Sequence, residues 1–158
     1  MECDFGSRSK AFGDGIKFII DNDDYEKFVK GYSFKLSVAG YVVYSSNNDG
    51  LHNKYLHRMI MGDPDGKDID HINRNPLDNR RENLRICTHQ QNSFNRTKNS
   101  NNTSGYKCVY FDKRYKKFQA YISIHGKRKS LGYFDSAEKA SECYKQAALK
   151  HHGEFSRF

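Results

Sequence analysis

A short polar segment separates this chain into two stretches that must each form a hydrophobic core. Residues 97–104 read Thr-Lys-Asn-Ser-Asn-Asn-Thr-Ser and contain no large apolar side chain. Such a segment cannot join a packed core and is typical of a linker. We therefore predict that residues 105–158 form a domain separate from the residues before the segment.

The charge changes at the same place. Residues 1–95 contain 13 Lys and Arg against 14 Asp and Glu, whereas residues 96–158 contain 14 against 5. A basic stretch with interleaved aromatic residues predicts a nucleic-acid partner. No apolar run approaches the roughly 20 residues that span a bilayer, so no membrane partner is expected. The N-terminus lacks the order of a secretion signal, which predicts a cytoplasmic protein.

The four cysteines do not indicate a metal site. Cys3, Cys87, Cys108 and Cys143 are scattered and form no Cys-x-x-Cys pair, so no structural zinc is expected. Two disulfides are conceivable from the count, but reduced thiols are favoured for a cytosolic protein.

The N-terminal stretch, residues 1–55, alternates short apolar runs with turn residues. After a loose tail over the first ten residues, the pattern predicts a strand at 16–20, a helix ending near Val29, hairpin strands at 34–38 and 41–44, and a polar loop at 45–50. We interpret this stretch as a small strand-rich scaffold.

The central stretch, residues 56–96, follows a different order. The pattern predicts a helix at 55–61, strands at 68–72 and 84–87 joined by a polar loop, and a helix that begins at Thr88. Thr88 and Gln91 have the spacing of a capping box, which places Asn92 and Asn95 on this last helix.

Asp70 and His71 lie at the end of the first of these strands, and two asparagines follow. A histidine can deprotonate water because its ordinary pKa is about 6.5. A hard cation such as Mg²⁺ takes oxygen ligands, which Asp70 and the amide of Asn92 can supply. Adjacent strand residues point to opposite faces, so the strand should end or bulge at this dipeptide. Together, Asp70, His71 and Asn92 predict a site that binds one metal ion and cleaves a phosphodiester bond.

Residues 56–95 resemble the HNH family of ββα-metal nucleases, in the form found in phage and intron-associated homing endonucleases. The matching stretches are Leu56-His57-Arg58, Asp70-His71-Ile72-Asn73, Asp78-Asn79-Arg80, Glu82-Asn83-Leu84-Arg85, Thr88 and Gln91-Asn92. The resemblance implies that Asp70 and Asn92 are metal ligands, that His71 is the general base and that Asn83 supports the geometry of His71. It also implies one divalent metal ion, Mg²⁺ with Mn²⁺ as the alternative, and a bacterial or phage-infected cell.

Other polar residues near this motif have two interpretations. His57 is either a structural histidine or a site residue, and Asn95 ranks below Asn92 as a ligand. Four arginines are candidates for contact with the DNA backbone, with a solvated charged loop as the alternative for each. They are Arg58, Arg80, Arg81 and Arg85.

The C-terminal stretch predicts a three-stranded antiparallel sheet and one helix. The strands are expected at 109–111, 118–124 and 128–134, with a helix capped by Asp135 and Glu138 and ended by Gly153. Alternation places Phe118 and Ile122 on a face that packs on the helix and leaves the other face polar. Residues on that face and its basic rim are candidates for DNA contact: Lys113, Arg114, Lys116, Lys117, Gln119, Tyr121, Lys127, Arg128 and Lys129.

Residues 104–158 also resemble a family, the APETALA-type (ethylene-response-factor-like) DNA-binding domain. The matching stretches are Ser104-Gly105-Tyr106, Val109-Tyr110-Phe111, Leu131-Gly132-Tyr133-Phe134-Asp135, Ala137-Glu138-Lys139-Ala140, Tyr144, Ala147-Ala148 and His152-Gly153-Glu154-Phe155. The resemblance implies that the sheet binds duplex DNA. Cys108 stands where a glycine is common, and Phe118 replaces a typical tryptophan.

Together these patterns predict an α+β protein. Its parts are a strand-rich scaffold at 1–55, a ββα-metal nuclease module at 56–96, a linker at 97–104 and a sheet packed on one helix at 105–158. We expect a metal-dependent homing-type endonuclease that nicks one strand of double-stranded DNA as a monomer, with a dimer as the alternative. A DNA-binding regulator with an inactive nuclease module is the second interpretation. An RNA-directed protein fits the charge but not the sheet family.

Overall fold

The computed structural model describes residues 2–4, 17–45 and 54–158. Its contacts divide the chain into two compact units, Met1–Thr88 and His89–Phe158. Helices and small antiparallel sheets occur in both units, which confirms the α+β class. In the described ranges, no helix is long and apolar enough to cross a membrane.

The described residues of the first unit form three two-stranded antiparallel sheets and two short helices. Their elements are β1 (Glu2–Asp4), β2 (Lys17–Ile19), α1 (Asn22–Phe28), β3 (Phe34–Leu36), β4 (Val42–Tyr44), α2 (Leu56–Ile60), β5 (Asp68–His71), a 3₁₀ turn (Arg81–Asn83) and β6 (Leu84–Cys87). The sheets pair β1 with β2, β3 with β4, and β5 with β6. A two-stranded hairpin is marginally stable alone in water, so packing between these elements has to stabilise the unit.

One hydrophobic cluster supplies that packing. It collects side chains from β2, β4, α2, β5 and β6 and from the residues directly after β2 and α1: Phe18, Ile20, Val29, Val42, Leu56, Ile60, Ile69 and Leu84. The N-terminal elements and the β5–β6 hairpin therefore share a core. Two backbone bonds reinforce this, since Ile19 N donates to Leu77 O at 2.7 Å and Asn79 N donates to Ile19 O at 2.8 Å.

The first residues differ from the expectation. Glu2–Asp4 forms β1 and pairs with β2, so the predicted loose tail was wrong for these three residues. A three-residue strand is too short to show an alternating pattern, and its partner decides its conformation. The rest of that tail and the predicted polar loop, apart from Ser45, lie outside the described residues.

The second unit has the predicted sheet and helix. Its elements are α3 (His89–Phe94), β7 (Val109–Asp112), β8 (Lys117–Ile124), β9 (Lys127–Phe134), α4 (Ala137–His152) and a 3₁₀ turn (Gly153–Phe155), with strand order β7-β8-β9. Helix α4 packs on one face of the sheet through a core of Val109, Ala120, Ile122, Ala140, Tyr144 and Ala148. The small alanines allow the helix to approach the sheet closely.

The helix ends follow local chemistry. The N-cap of α4 is Ser136, whose Oγ accepts a bond from Lys139 N at 3.3 Å, so the predicted capping box at Asp135 is displaced by one residue. Gly153, with φ of 55°, ends the helix as expected.

Residues just before β7 form hydrogen bonds with the start of that strand. The Ser104 Oγ donates to Val109 O at 2.8 Å, and Asn102 Nδ2 donates to Tyr106 O at 2.8 Å. The second half of the predicted linker therefore supports the start of the sheet.

Candidate active site and nucleic-acid interface

The β5–β6 hairpin carries the Asp70-His71 pair. Asp70 lies opposite Arg85 and His71 opposite Leu84 in a regular antiparallel register. Strand β5 ends at His71, which meets the requirement that the strand stop at this dipeptide. The backbone then turns, because Arg74 N donates to His71 O at 2.8 Å and Arg74 itself has a φ of 65°.

Asp70 is a buried carboxylate with a cationic partner. It is 5% exposed, and its Oδ2 accepts bonds from Arg85 Nε at 3.0 Å and Arg85 Nη2 at 2.7 Å. A buried carboxylate without a partner would be very costly, so the bonds from Arg85 stabilise Asp70 inside the fold. An ionised carboxylate is the oxygen donor that a hard divalent cation prefers, so the chemistry of this residue fits such an ion.

His71 is 5% exposed. Burial lowers its pKa below 6.5, while the side chains of Asn79, Asp70 and Asp78 oppose this shift in smaller measure. The imidazole is therefore neutral at neutral pH. A neutral imidazole can accept a proton, which a general base must do.

The loop after His71 is fixed by a network centred on Asn83. The Asn83 Nδ2 donates to Asp78 O at 2.7 Å, and its Oδ1 accepts a bond from Asn73 N at 2.9 Å. Asn73 Nδ2 in turn donates to Asp78 Oδ2 at 2.8 Å. Asn83 thus joins both ends of the loop that begins immediately after His71.

Asp78 is a residue that the sequence analysis did not assign. It is 2% exposed, and Arg80 donates to it from Nε at 2.9 Å and from Nη2 at 2.8 Å. These bonds lower the pKa of Asp78. Its position in the Asp78-Asn79-Arg80 stretch was the only signal in the sequence.

Each of the four candidate arginines forms ion pairs or hydrogen bonds with carboxylate or carbonyl oxygens of the first unit. Arg58 bonds to Asp63 Oδ1 at 2.5 Å and to the carbonyl oxygens of Lys67 and Pro64, both at 3.1 Å. The other pairs are Arg80 with Asp78 and Glu82, Arg81 with Asp24, and Arg85 with Asp70. DNA contact by these arginines stays a prediction.

Four rings, one of them that of His71, form a cluster in the first unit. We call Tyr41, Tyr55, His57 and His71 the ring cluster. The centroid of the His71 ring is 5.0 Å from that of His57 and 5.8 Å from that of Tyr41. Burial, followed by the nearby His71 and Arg58, lowers the pKa of His57 to about 3. No sequence pattern indicated Tyr41 as a neighbour of His71, because its approach depends on the β3–β4 turn.

Asn92 lies on α3, in the second unit, and is partly buried. Asn95 is buried, and its Oδ1 accepts a bond from Arg157 Nε at 3.1 Å within the same unit. In the part of the chain that the structure describes, no three His, Cys, Asp or Glu side chains are grouped to hold a metal ion. A site with one carboxylate does not require such a group, and Asn92 as second ligand stays a prediction.

The second unit brings three predicted DNA-binding residues together. The guanidinium of Arg128 lies 3.5 Å from the centroid of the Tyr121 ring and 5.3 Å from that of Tyr110. Gln119 accepts a bond from the Tyr110 hydroxyl and donates to Ser130 Oγ at 2.8 Å. These side chains alternate along the strands with the core-facing ones, so they form a polar aromatic face.

The predicted basic rim is also exposed. Arg114 stacks over Tyr115, with 5.4 Å between the guanidinium and the ring centroid. Lys117 forms an ion pair of 3.2 Å with Asp135. The remaining members are exposed at the turns and on β9: Lys113, Lys116, Lys127 and Lys129.

Comparison with known proteins identifies the central region. Residues 54–94 match the family described as HNH endonuclease. Protein 3.8 of Escherichia phage T7 is 33% identical over 95 residues, which are 60% of this chain and 78% of that protein. An uncharacterized HNH endonuclease of Acanthamoeba polyphaga mimivirus is 32% identical over 131 residues, 81% of this chain and 67% of that protein. No solved structure gave a match.

The matched region contains α2, the β5–β6 hairpin and α3, and with them Asp70, His71, Asn83 and Asn92. The mimivirus relative extends the similarity over most of the chain. The chain belongs to the HNH endonuclease family.

Proposed function

We propose that the protein is a divalent-metal-dependent DNA endonuclease of the homing type that nicks one strand of duplex DNA per active site. The observation that carries the proposal is the buried, neutral His71 at the end of β5, next to the buried carboxylate of Asp70. A proton acceptor and an oxygen donor are the two groups that one-metal phosphodiester cleavage requires from the protein.

In the proposed mechanism, His71 accepts the proton of the water that attacks the phosphorus. Asp70 and Asn92 are the residues that would hold one divalent ion, Mg²⁺ or Mn²⁺. When bound, such an ion stabilises negative charge on the phosphate and on the leaving 3′-oxygen. Asn83 holds the loop after His71 and so keeps the imidazole at the end of its strand.

The second unit supplies the DNA-binding part of the proposal. We infer that residues 105–158 act as an APETALA-type module that binds duplex DNA through the polar aromatic face. Its support is the Arg128 side chain stacked on Tyr121 and the excess of basic residues in this half. A stacked guanidinium is held in place before binding, so less side-chain entropy is lost on contact with DNA.

One active site cuts one strand, so we propose that the protein acts as a monomer and makes nicks. A double-strand break would need a dimer or two successive events. Homing-type action is proposed from the resemblance to phage and intron-associated nucleases.

The test is a nicking assay on supercoiled plasmid. The wild type with Mg²⁺ should convert supercoiled DNA to nicked circles, and EDTA should prevent this. His71→Ala should reduce the rate by at least about 100-fold, since general-base catalysis contributes this much. DNA binding with no cleavage in Mg²⁺ or Mn²⁺ would refute the endonuclease proposal and favour a DNA-binding regulator.

A further inference from the structure

The ring cluster surrounds the proposed general base with side chains that have no assigned role. The ring of His57 meets that of His71 edge to face, at an interplanar angle of 71°. Tyr41 contacts both histidines, with centroid distances of 5.3 Å to His57 and 5.8 Å to His71. Tyr55 lies 5.8 Å from Tyr41 and 5.4 Å from His57. All these distances fall in the range of aromatic contacts.

Tyr41 comes from the N-terminal scaffold, and its backbone is held by a tight turn. Ser37 N donates to Tyr41 O at 2.8 Å, and Tyr41 N donates to Ser37 Oγ at 3.0 Å. Gly40, with φ of 83°, closes the turn. A Cβ on Gly40 would lie 3.7 Å from Pro76 Cγ, so the turn lies beside the loop that follows His71.

Tyr55 is fixed to the same hairpin. It forms an antiparallel bridge with Val43, and Tyr44 N donates to Lys54 O at 2.8 Å. The β3–β4 hairpin therefore positions both tyrosines of the ring cluster. His57, which is 7% exposed, contacts both tyrosines and His71.

This packing restricts the orientation of the His71 ring. The χ2 angle of a histidine side chain has a broad distribution, so covalent geometry alone does not determine the ring orientation. Two neighbouring rings limit that rotation, because turning the imidazole would force it against His57 or Tyr41. A general base has to keep its nitrogen directed at the proton it accepts, and small misplacements reduce the rate strongly.

We propose that Tyr41 is a positioning residue for the general base: its ring, together with His57, holds the His71 imidazole in the orientation for proton transfer. The proposal rests on the proposed function for its catalytic meaning. It assigns the N-terminal scaffold a part in the active site.

The experiment compares two substitutions at Tyr41 in the full chain. Tyr41→Leu removes the ring, and the single-turnover nicking rate at saturating DNA should fall about tenfold or more, since misplaced groups lose rate. DNA affinity should change by less than about twofold, because the ring acts on the chemical step. Tyr41→Phe keeps the ring and should restore the rate to within about threefold of the wild type.

The matched control is Tyr32→Leu. Tyr32 packs on Tyr44 of the same hairpin, with 5.4 Å between ring centroids, and is 49% exposed. The same substitution there should leave the nicking rate unchanged. An equal loss in both variants would mean that the hairpin matters only for folding and would overturn the proposal.

A second measurement does not depend on cleavage. The ring signals of His71 in an NMR spectrum, identified by their loss in His71→Ala, should shift or broaden in Tyr41→Leu and stay in place in Tyr32→Leu. Unchanged His71 signals in Tyr41→Leu would overturn the proposal. If the wild type does not nick DNA, the proposed function fails, and these signals alone decide whether Tyr41 positions His71. If the circular dichroism spectrum of Tyr41→Leu differs from that of the wild type, which would indicate misfolding, Tyr41→Met is tested in its place.

Discussion

At the scale of single residues, the first unit pairs each of several buried carboxylates with an arginine. The pairs are Asp24 with Arg81, Asp70 with Arg85 and Asp78 with Arg80. A buried charge is tolerated only with such a partner, so each arginine is needed for the fold before any role toward DNA. The same burial makes His57 and His71 neutral.

Burial of His57 should make the first unit sensitive to acid. The pKa of His57 is about 3 in the folded chain, against about 6.5 in the unfolded chain. Between these values the unfolded chain binds a proton that the folded chain does not, so stability falls as the pH drops below 6.5. At pH 5 we expect a loss of about 2 kcal/mol relative to pH 7 from this residue. Urea unfolding at both pH values measures it.

The control for this prediction is a pair of histidine variants. His57→Gln should be less stable at pH 7 but should show a smaller difference between pH 7 and pH 5, with the remainder coming from groups such as the buried His71. His151→Gln, at an exposed position on α4, should keep the difference. Equal pH dependence in the wild type and His57→Gln would contradict a neutral buried His57.

Arg85 occupies the carboxylate of Asp70, the residue proposed to hold a divalent cation, so the two would compete. Arg85→Gln would leave Asp70 buried without its cationic partner, so the protein should lose about 3–5 kcal/mol of stability in EDTA. Added Mn²⁺ should recover part of this loss, because an ion that binds the folded state stabilises it. Thermal unfolding with and without Mn²⁺ measures both effects.

The matched variant here is Arg74→Gln, in the exposed loop after β5. It should change stability by less than about 0.5 kcal/mol and should not respond more to Mn²⁺ than the wild type. A destabilised Arg85→Gln protein that gains nothing from Mn²⁺ would count against Asp70 as a metal ligand.

The sequence placed Arg80, Arg81 and Arg85 near the motif but did not indicate which carboxylates they pair with. Arg81 bonds to Asp24, which lies 57 residues earlier in the chain, and such a pairing depends on the tertiary fold. Asp70 and Arg85 meet because of the strand register, which hydrophobic alternation alone did not specify here. Motif order predicted the candidate site residues, while their burial and pairing had to come from the structure.

At the scale of elements, local patterns were sufficient for most helices and strands. The alternation in Phe118–Ile124 and the helical spacing after Asp135 appear as β8 and α4, because one face of each has to pack on the other. The strand β1 was not predicted, and the ring cluster was not either. Both depend on contacts between elements that are distant in sequence.

A substitution at Asn83 tests whether the loop of the β5–β6 hairpin supports the candidate active site. Asn83→Ala removes two bonds, one to the buried Asp78 O and one from the Asn73 N, and leaves both backbone groups without these partners. We expect a stability loss of about 1–3 kcal/mol and a slower nicking rate. Chemical denaturation and the plasmid assay measure the two effects.

Asn75→Ala is the comparison within the same loop. Asn75 is exposed, and its Oδ1 accepts a single bond from Leu77 N at 3.1 Å. Its loss should cost less than that of Asn83 and leave the nicking rate near the wild-type value. A nicking rate that is equal in the two variants would contradict a supporting role for Asn83.

At the scale of the whole molecule, the two units have different charges and different proposed tasks. The half with Asp70 and His71 is near neutral, and the half with the three-stranded sheet is basic. Binding by neutralisation of phosphates depends steeply on salt, because each contact releases counterions from the DNA. The salt dependence of DNA affinity, measured in lysine variants, therefore shows which lysines contact the DNA.

The last prediction uses two sets of three lysines in the same unit. The rim set is Lys113, Lys116 and Lys127, and the helix set is Lys139, Lys145 and Lys150 on α4, so both changes to Gln remove the same charge. If the polar aromatic face binds DNA, the rim variant should lower the slope of log Kd against log salt by about 3, since each lost contact contributes about 0.9. The helix variant should keep nearly the wild-type slope, because α4 packs on the opposite face of the sheet. Fluorescence anisotropy with a labelled duplex at several salt concentrations measures both slopes. Equal slopes in the two variants would mean that net charge alone governs binding, and the assignment of the sheet face as the DNA-binding surface would have to be abandoned.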